Sequence, residues 1–159
     1  MDKKKLFEHF KTQISLELAA ITEAAKNTYD IATHEENKAE NKYDTRGLEA
    51  SYLAGAQAIR VSEMKDVLIV FKNFKIKDFT EHQTIANTAL VEVNLNDKTS
   101  FVLIMPKGGG QTTQFEGQSI QVITPESPLG RMLIGKSVGD LVTFVAGEKT
   151  REYEIISLS

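Results

Sequence analysis

The chain has 159 residues, 41% of them hydrophobic and 26% charged, with a formal net charge of −3. That balance suits one compact domain or two small ones. It has no cysteine, which excludes disulfides, thiolate catalysis and cysteine-ligated zinc and fits a reducing, cytoplasmic setting. Residues 1–77 carry 13 basic and 12 acidic side chains and residues 78–159 carry 6 and 10. Neither half has the excess of positive charge that independent DNA or RNA binding needs.

The start, Met1 to Leu6, is basic, but Glu8, His9 and Lys11 interrupt any signal-peptide core. No run approaches the roughly 20 apolar residues of a membrane span, so no membrane association is expected. Leu6, Phe10, Ile14, Leu18, Ile21 and Ala25 recur at steps of three and four. This predicts one apolar face of a long helix that needs a partner helix along its seam. Leu16 lies off that seam, and no glycine or proline occurs before Gly47.

Thr33 to Lys42 holds no large apolar residue and reads as a polar tip over 33–43. A second helical pattern follows through Leu48, Tyr52, Ile59 and Met64, with Gly55 and Ala56 filling the gaps. Small residues at 54–56 and 58 permit a close helix approach. Gly55 costs about 1 kcal/mol against alanine inside a helix, a cost that packing against a neighbour would explain. The apolar run Val67 to Phe71 reads as the place where this helix meets another domain or another copy. Asn73 to Asp78 reads as the boundary, giving a helical hairpin over 1–75 and a second domain over 76–159.

From there the period changes. Ala89–Leu95 and Ser100–Met105 are β-rich runs separated by a hairpin signal at 96–99. Ile120–Ile123 is a further short strand, and Leu141–Ala146 with Glu152–Leu158 form a terminal pair. One short helix is expected around Pro128–Ile134, making an α+β domain with a mostly antiparallel sheet. Gly108-Gly109-Gly110 lacks the Gly-Lys-Ser/Thr ending of a phosphate loop and reads as a turn. His9, His34 and His82 have no metal-ligand spacing, and no serine sits in a nucleophile elbow.

The stretch from Thr124 to Asp140 is the most specific in the chain. Ser127 can cap a helix that opens on Pro128, because proline lacks the amide hydrogen that would go unused there. Gly135 can close that helix in the left-handed conformation, and Gly139-Asp140 turns the chain into the next strand. This run of Ser-Pro, a short glycine-bounded helix, Lys136 and then Val138-Gly139-Asp140 resembles the C-terminal signature of the Gre family of bacterial transcript-cleavage factors. The likeness continues through Arg151 to Ile155. It covers the whole chain, strongly over 119–158 and more loosely over 1–75.

The resemblance implies an antiparallel helical hairpin (a coiled coil) followed by an FKBP-like domain. It implies a monomeric regulator of transcription elongation that is not itself an enzyme. Its partner would be RNA polymerase, entered through the secondary channel, with indirect contact to nascent RNA. No cofactor is held stably; acidic tip residues would help the polymerase site bind a second magnesium ion. The family tip reads Asp-Leu-Ser-Glu-Asn with a tyrosine downstream. Here Asn37-Lys38-Ala39-Glu40-Asn41 and Tyr43 stand there. Glu40 and Asn41 match, Asn37 replaces the aspartate, and Tyr43 comes one residue early. Glu40 with Glu36 would assist the metal, and Glu35, Asn37, Asn41, Tyr43 and Arg46 would touch the polymerase. Ser127, Pro128, Gly130, Arg131, Gly135, Lys136, Gly139 and Asp140 would form the docking helix and turn. Asn37 keeps open a non-cleaving competitor or inhibitor in the same channel. A peptidyl-prolyl isomerase is a further alternative, disfavoured because no tryptophan and no aromatic pocket can be read from Phe101, Phe115, Phe144 and Tyr153. A coiled-coil adaptor is another.

Overall fold

Two long helices open the chain, as the three- and four-residue spacing demands: α1 (Lys3–Thr33) and α2 (Arg46–Asn73). The computed structural model describes residues 1–33, 46–96, 98–146 and 149–159. The chain divides into two compact units, one of Lys11–Lys72 and one of Met1–Phe10 with Asn73–Ser159. The sequence reading placed the boundary after residue 75 and gave everything before it to the hairpin. In the structure the first ten residues group with the second unit, and Leu6, Phe7 and Phe10 there are fully buried. Phe7, adjacent to the predicted stripe, widens the apolar face at the start of α1.

Within the first unit the helices run antiparallel. Glu17 of α1 pairs with Arg60 of α2 at 3.8 Å, and Ile21 and Ala24 share a small cavity with Gln57, so higher numbers on α1 meet lower numbers on α2. The Arg60 side chain is largely exposed and the Glu17 side chain half-buried, so the pair contributes little; the apolar seam holds the hairpin. On α1 the seam follows the predicted positions: Ile14 is fully buried and Leu18, Ile21 and Ala25 are half-buried, while Leu16 is exposed.

On α2 the predicted stripe is corrected. Leu48, Tyr52 and Ile59 are exposed, at 56%, 72% and 63%, and Met64 alone of the large predicted residues is buried. The inward positions are Ala50, Ala54, Gln57, Val61, Met64, Leu68 and Phe71, whose burial rises toward the end of the helix. Their spacing of four and three is a coiled-coil seam. In its first half this seam is Ala50, Ala54 and Gln57, so the larger apolar side chains on the outer face dominated the sequence pattern. Within the run 67–71, Leu68 and Phe71 are buried, Val67 and Val70 are half-buried and Ile69 is exposed, the alternation of a helix with one covered face.

The second unit is built on six strands: β1 (Leu90–Leu95), β2 (Lys98–Ile104), β3 (Thr112–Phe115), β4 (Gln118–Ile123), β5 (Leu141–Ala146) and β6 (Lys149–Leu158), with α3 (Pro128–Leu133) between β4 and β5. They form one sheet in the order β3-β4-β2-β1-β6-β5. All neighbours are antiparallel except β2 and β4, which run parallel with Phe101 beside Ile120. The sequence reading missed β3, a four-residue edge strand with two threonines and two polar or aromatic residues. Its hairpin to β4 turns at Glu116 and Gly117, both with positive φ (50° and 77°), the backbone of a tight type I′ connection.

Both faces of the sheet are covered, since the neighbours Leu90 and Val91, Leu103 and Ile104, and Val122 and Ile123 are all buried although successive strand side chains point to opposite faces. One face carries Val91, Val93, Val102, Ile104, Ile123 and Ile155, packed with Ile85 and with Leu133 of α3. On the other, His9 of α1 reaches Thr113 of β3 through Nε2 and Oγ1 at 2.8 Å, and its ring lies 5.5 Å from that of Phe115. Lys3 donates from Nζ to the carbonyl of Lys77 and lies over the Phe79 ring at 4.8 Å. The first turns of α1 are thus tied to the sheet by polar as well as apolar contacts. Among the described residues no helix is long and apolar enough to cross a membrane.

Candidate functional site

Two regions were singled out from the sequence. The first is the tip that joins α1 to α2. Glu35, Glu36, Asn37, Glu40, Asn41 and Tyr43 lie outside the described residues. Arg46 is the first residue of α2. The helix ends that carry the tip are described. In α1 the hydroxyls of Thr28 and Thr33 donate to the carbonyls of Ala24 and Tyr29, four residues back. Glu49 lies in the first turn of α2, where a carboxylate complements the positive end of the helix dipole. The joining segment, residues 34–45, has four acidic and two basic side chains. Among the described residues no group of three or more His, Cys, Asp or Glu is placed to hold a metal ion.

The second region is the turn around α3, which the structure describes fully. Ser127 is the N-cap: its hydroxyl accepts from the Gly130 amide at 3.1 Å and donates to the Thr124 carbonyl at 2.7 Å. Pro128 occupies the first turn, as expected. Gly130 is buried, and a Cβ there would stand 1.9 Å from the Thr124 carbonyl oxygen. The chain entering the helix therefore crosses so close to Gly130 that no side chain fits. Gly135 follows with φ of 80° and donates to the carbonyl of Ile85, while Ile85 donates to the carbonyl of Lys136. Gly139, with φ of 89°, donates to Ile155. Asp140 accepts from the Ser137 amide through Oδ2 at 2.9 Å, and its own carbonyl accepts from Ile155. Ser127, Gly130, Gly135, Gly139 and Asp140 are thus occupied in holding the turn against β6 and the segment before β1.

Arg131 and Lys136 are different. Both are exposed, and they stand around a shallow depression lined also by Met132, Ile134, Leu141, Val142 and Thr143. Ile134 and Leu141 are exposed large apolar residues, and β5 is an edge strand of the sheet. The depression is thus lined by apolar side chains together with two cations. The sequence reading named the two cations but not Met132, Ile134 and Leu141. Their signal was available as apolar residues in a short helix and an edge strand, but burial would have been the ordinary expectation for them.

The described residues thus form a two-helix hairpin joined to an α+β unit, with a Ser-Pro-capped helix beside the edge strand β5. The family model for the C-terminal part of the GreA/GreB transcription elongation factors matches residues 89–159. Transcription elongation factor GreA of Streptococcus agalactiae is 30% identical over 119 residues, covering 74% of this chain and 68% of the relative. GreA of Clostridium botulinum is 24% identical over 156 residues, covering 98% and 90%. Among solved structures, the GreA factor homolog 1 (Gfh1) protein of Thermus thermophilus is similar at 19% identity over 94% of each chain, with a TM-score of 0.38. The chain belongs to the GreA/GreB family of transcription elongation factors. As such it is an accessory factor of transcription rather than an enzyme.

Proposed function

We propose that this chain binds RNA polymerase through the secondary channel and stimulates the polymerase active site to cleave backtracked RNA. What carries the reading is the combination of family membership with a hairpin of two uninterrupted helices joined by a segment that bears Glu35, Glu36 and Glu40. The part of α1 that lies in the hairpin unit, Lys11 to Thr33, extends about 35 Å at 1.5 Å per residue. The rim of Arg131 and Lys136 around Ile134 and Leu141 is the docking surface that would hold the second unit on the polymerase. The residues of the tip suit a role beside magnesium, since carboxylates are the hard oxygen donors that this ion takes. The ion belongs to the polymerase, where a second metal activates water for attack. This chain's part is to carry Glu40, with Glu36, to that ion and to hold Asn37, Asn41 and Tyr43 against the channel wall.

The test is a stalled, backtracked elongation complex incubated with the full chain. Release of short 3′ RNA fragments above the polymerase's own rate is expected. A factor that binds polymerase without releasing fragments would leave the channel reading and remove the cleavage role; a factor that does not bind removes both.

A second reading rests on Asn37. An amide oxygen is neutral and does not offset a divalent charge, so the same hairpin would occupy the channel without promoting cleavage and would exclude other factors. The variant Asn37→Asp separates the two. It gains cleavage if the remaining tip is intact, and it changes little if Glu36 already supplies the missing charge.

A further inference from the structure

The outer face of α2 is a second heptad stripe. Leu48, Tyr52, Gly55 and Ile59 follow one another at steps of four, three and four, on the side of the helix opposite the inward positions Ala50, Ala54, Gln57 and Val61. The three large residues of the stripe are among the most exposed apolar side chains of the described chain. Gly55 has open space around it: a Cβ built there meets nothing within 4 Å. The packing inside the hairpin that the sequence suggested for this glycine is therefore absent. A helix-weakening residue in the middle of a 28-residue helix faces outward between a tyrosine and an isoleucine.

We propose that this stripe pairs with the same stripe of a second copy of the chain, antiparallel, about a two-fold axis passing between residues 53 and 54. The stripe is complementary to itself in that one register. Leu48 of each copy meets Ile59 of the other, and Tyr52 lies over Gly55, the large ring filling the place where the glycine has no side chain. An isologous contact requires this reciprocity, in which residue i touches j and j touches i. Antiparallel heptads supply it because each layer then joins the two different core positions. The flanking positions agree: Ser51 and Ala58 on one side and Ala56 on the other are small and neutral, and Glu49 faces Ala56 rather than another carboxylate. A parallel in-register pair would instead set Tyr52 against Tyr52 and Gly55 against Gly55, a clash beside a void. A contact of four layers, two of which contain a glycine, is small against the roughly 1,200–2,000 Å² of a stable interface. The pairing is therefore weak and concentration-dependent, and the dilute chain is a monomer.

Sedimentation equilibrium of the full chain from about 1 μM to about 1 mM tests this. The apparent mass is expected to rise from 17.7 kDa toward twice that value, and Tyr52→Glu, on an exposed position that leaves the helical circular dichroism unchanged, is expected to weaken association at least tenfold. Register is read separately. The chain has no cysteine, so Lys65→Cys carries a single spin label, which the proposed register places about 35 Å from its copy along the helix axis at 1.5 Å per residue. A fixed monomer mass at all concentrations overturns the proposal. So does a dimer indifferent to Tyr52→Glu, which forms elsewhere, and so does a label separation near the width of one helix, which means parallel pairing.

Discussion

Gly130 and Lys3 show two ways in which one residue fixes local structure here. Gly130 has no room for a methyl group, because the obstacle is the Thr124 backbone carbonyl rather than a side chain that can turn away. Gly130→Ala must push the entering chain off the helix and break the Ser127 cap with it. A loss of roughly 2–4 kcal/mol is expected, from backbone strain added to a lost cap, read as a lower urea midpoint of the second unit. Lys3 is nearly buried, and burial lowers its pKa to about 8, with nearby Asp78 opposing the shift. The free amine in an unfolded chain titrates near 10.5. Between about 8 and 10.5 the unfolded chain therefore holds a proton that the folded chain has released, and stability contributed by this group rises with pH across that window. Lys3→Met removes the titration, so its stability is expected to climb less steeply than that of the parent from pH 8 to 10.5 in paired denaturant melts. The sequence identified Ser127, Pro128, Gly135 and Gly139 for the right local reasons, because capping and left-handed turns are local chemistry. The need for Gly130 was not legible, since the chain that crowds it comes from the preceding turn and only coordinates show the approach. Thr88 is a further case: it is fully buried with φ of 71°, a conformation that a β-branched residue rarely adopts and that no sequence pattern signals.

Among the elements, α1 and α2 separate what periodicity reveals from what it hides. The α1 stripe was read correctly because its inward residues are larger and more apolar than their neighbours. The α2 stripe was read on the wrong face, because Leu48, Tyr52 and Ile59 outweigh the inward alanines 50 and 54 in any apolar count. A helix with apolar residues on two opposite faces gives no single answer to a periodicity test. Mutation distinguishes the faces directly. Leu68→Ala, on the inner stripe, is expected to cost about 2–5 kcal/mol of hairpin stability as a buried leucine truncation, whereas Leu48→Ala is expected to stay within about 0.5 kcal/mol as a surface change. Helical ellipticity followed through a urea titration checks both, and equal effects would restore the original stripe. Gln57 belongs to the same seam. Its Oε1 is buried with no hydrogen-bond partner among the described residues, beside a cavity of about 70 Å³ shared with Ile21 and Ala24. A buried amide oxygen without a hydrogen bond costs stability, so this part of the seam is weaker than the stretch through Val61, Met64, Leu68 and Phe71. In the sheet, β1, β2 and the terminal pair β5 and β6 were legible as alternating apolar runs. The parallel pairing of β2 with β4 was not, because it depends on β3, whose four residues are too short and too polar to stand out.

The proposals for the molecule as a whole compete for the same helix. Insertion of the hairpin into a polymerase channel requires a single pair of helices, whereas self-pairing through Leu48, Tyr52 and Ile59 doubles the pair. Only monomer would then enter, and the factor would limit its own action at high concentration. Above the dimer dissociation constant, free monomer grows only as the square root of total chain, by mass action. Initial cleavage rates on backtracked complexes are therefore expected to rise linearly with factor at low concentration and to bend toward a square-root dependence as dimer forms. Tyr52→Glu is expected to keep the linear rise to higher concentration and to match the parent in the dilute limit. A uniform loss of activity in Tyr52→Glu at every concentration would mean that the outer face of α2 contacts the polymerase itself. In that case the second stripe is the wall-facing side of the hairpin, and the closeness that Gly55 permits is used by the channel rather than by another copy.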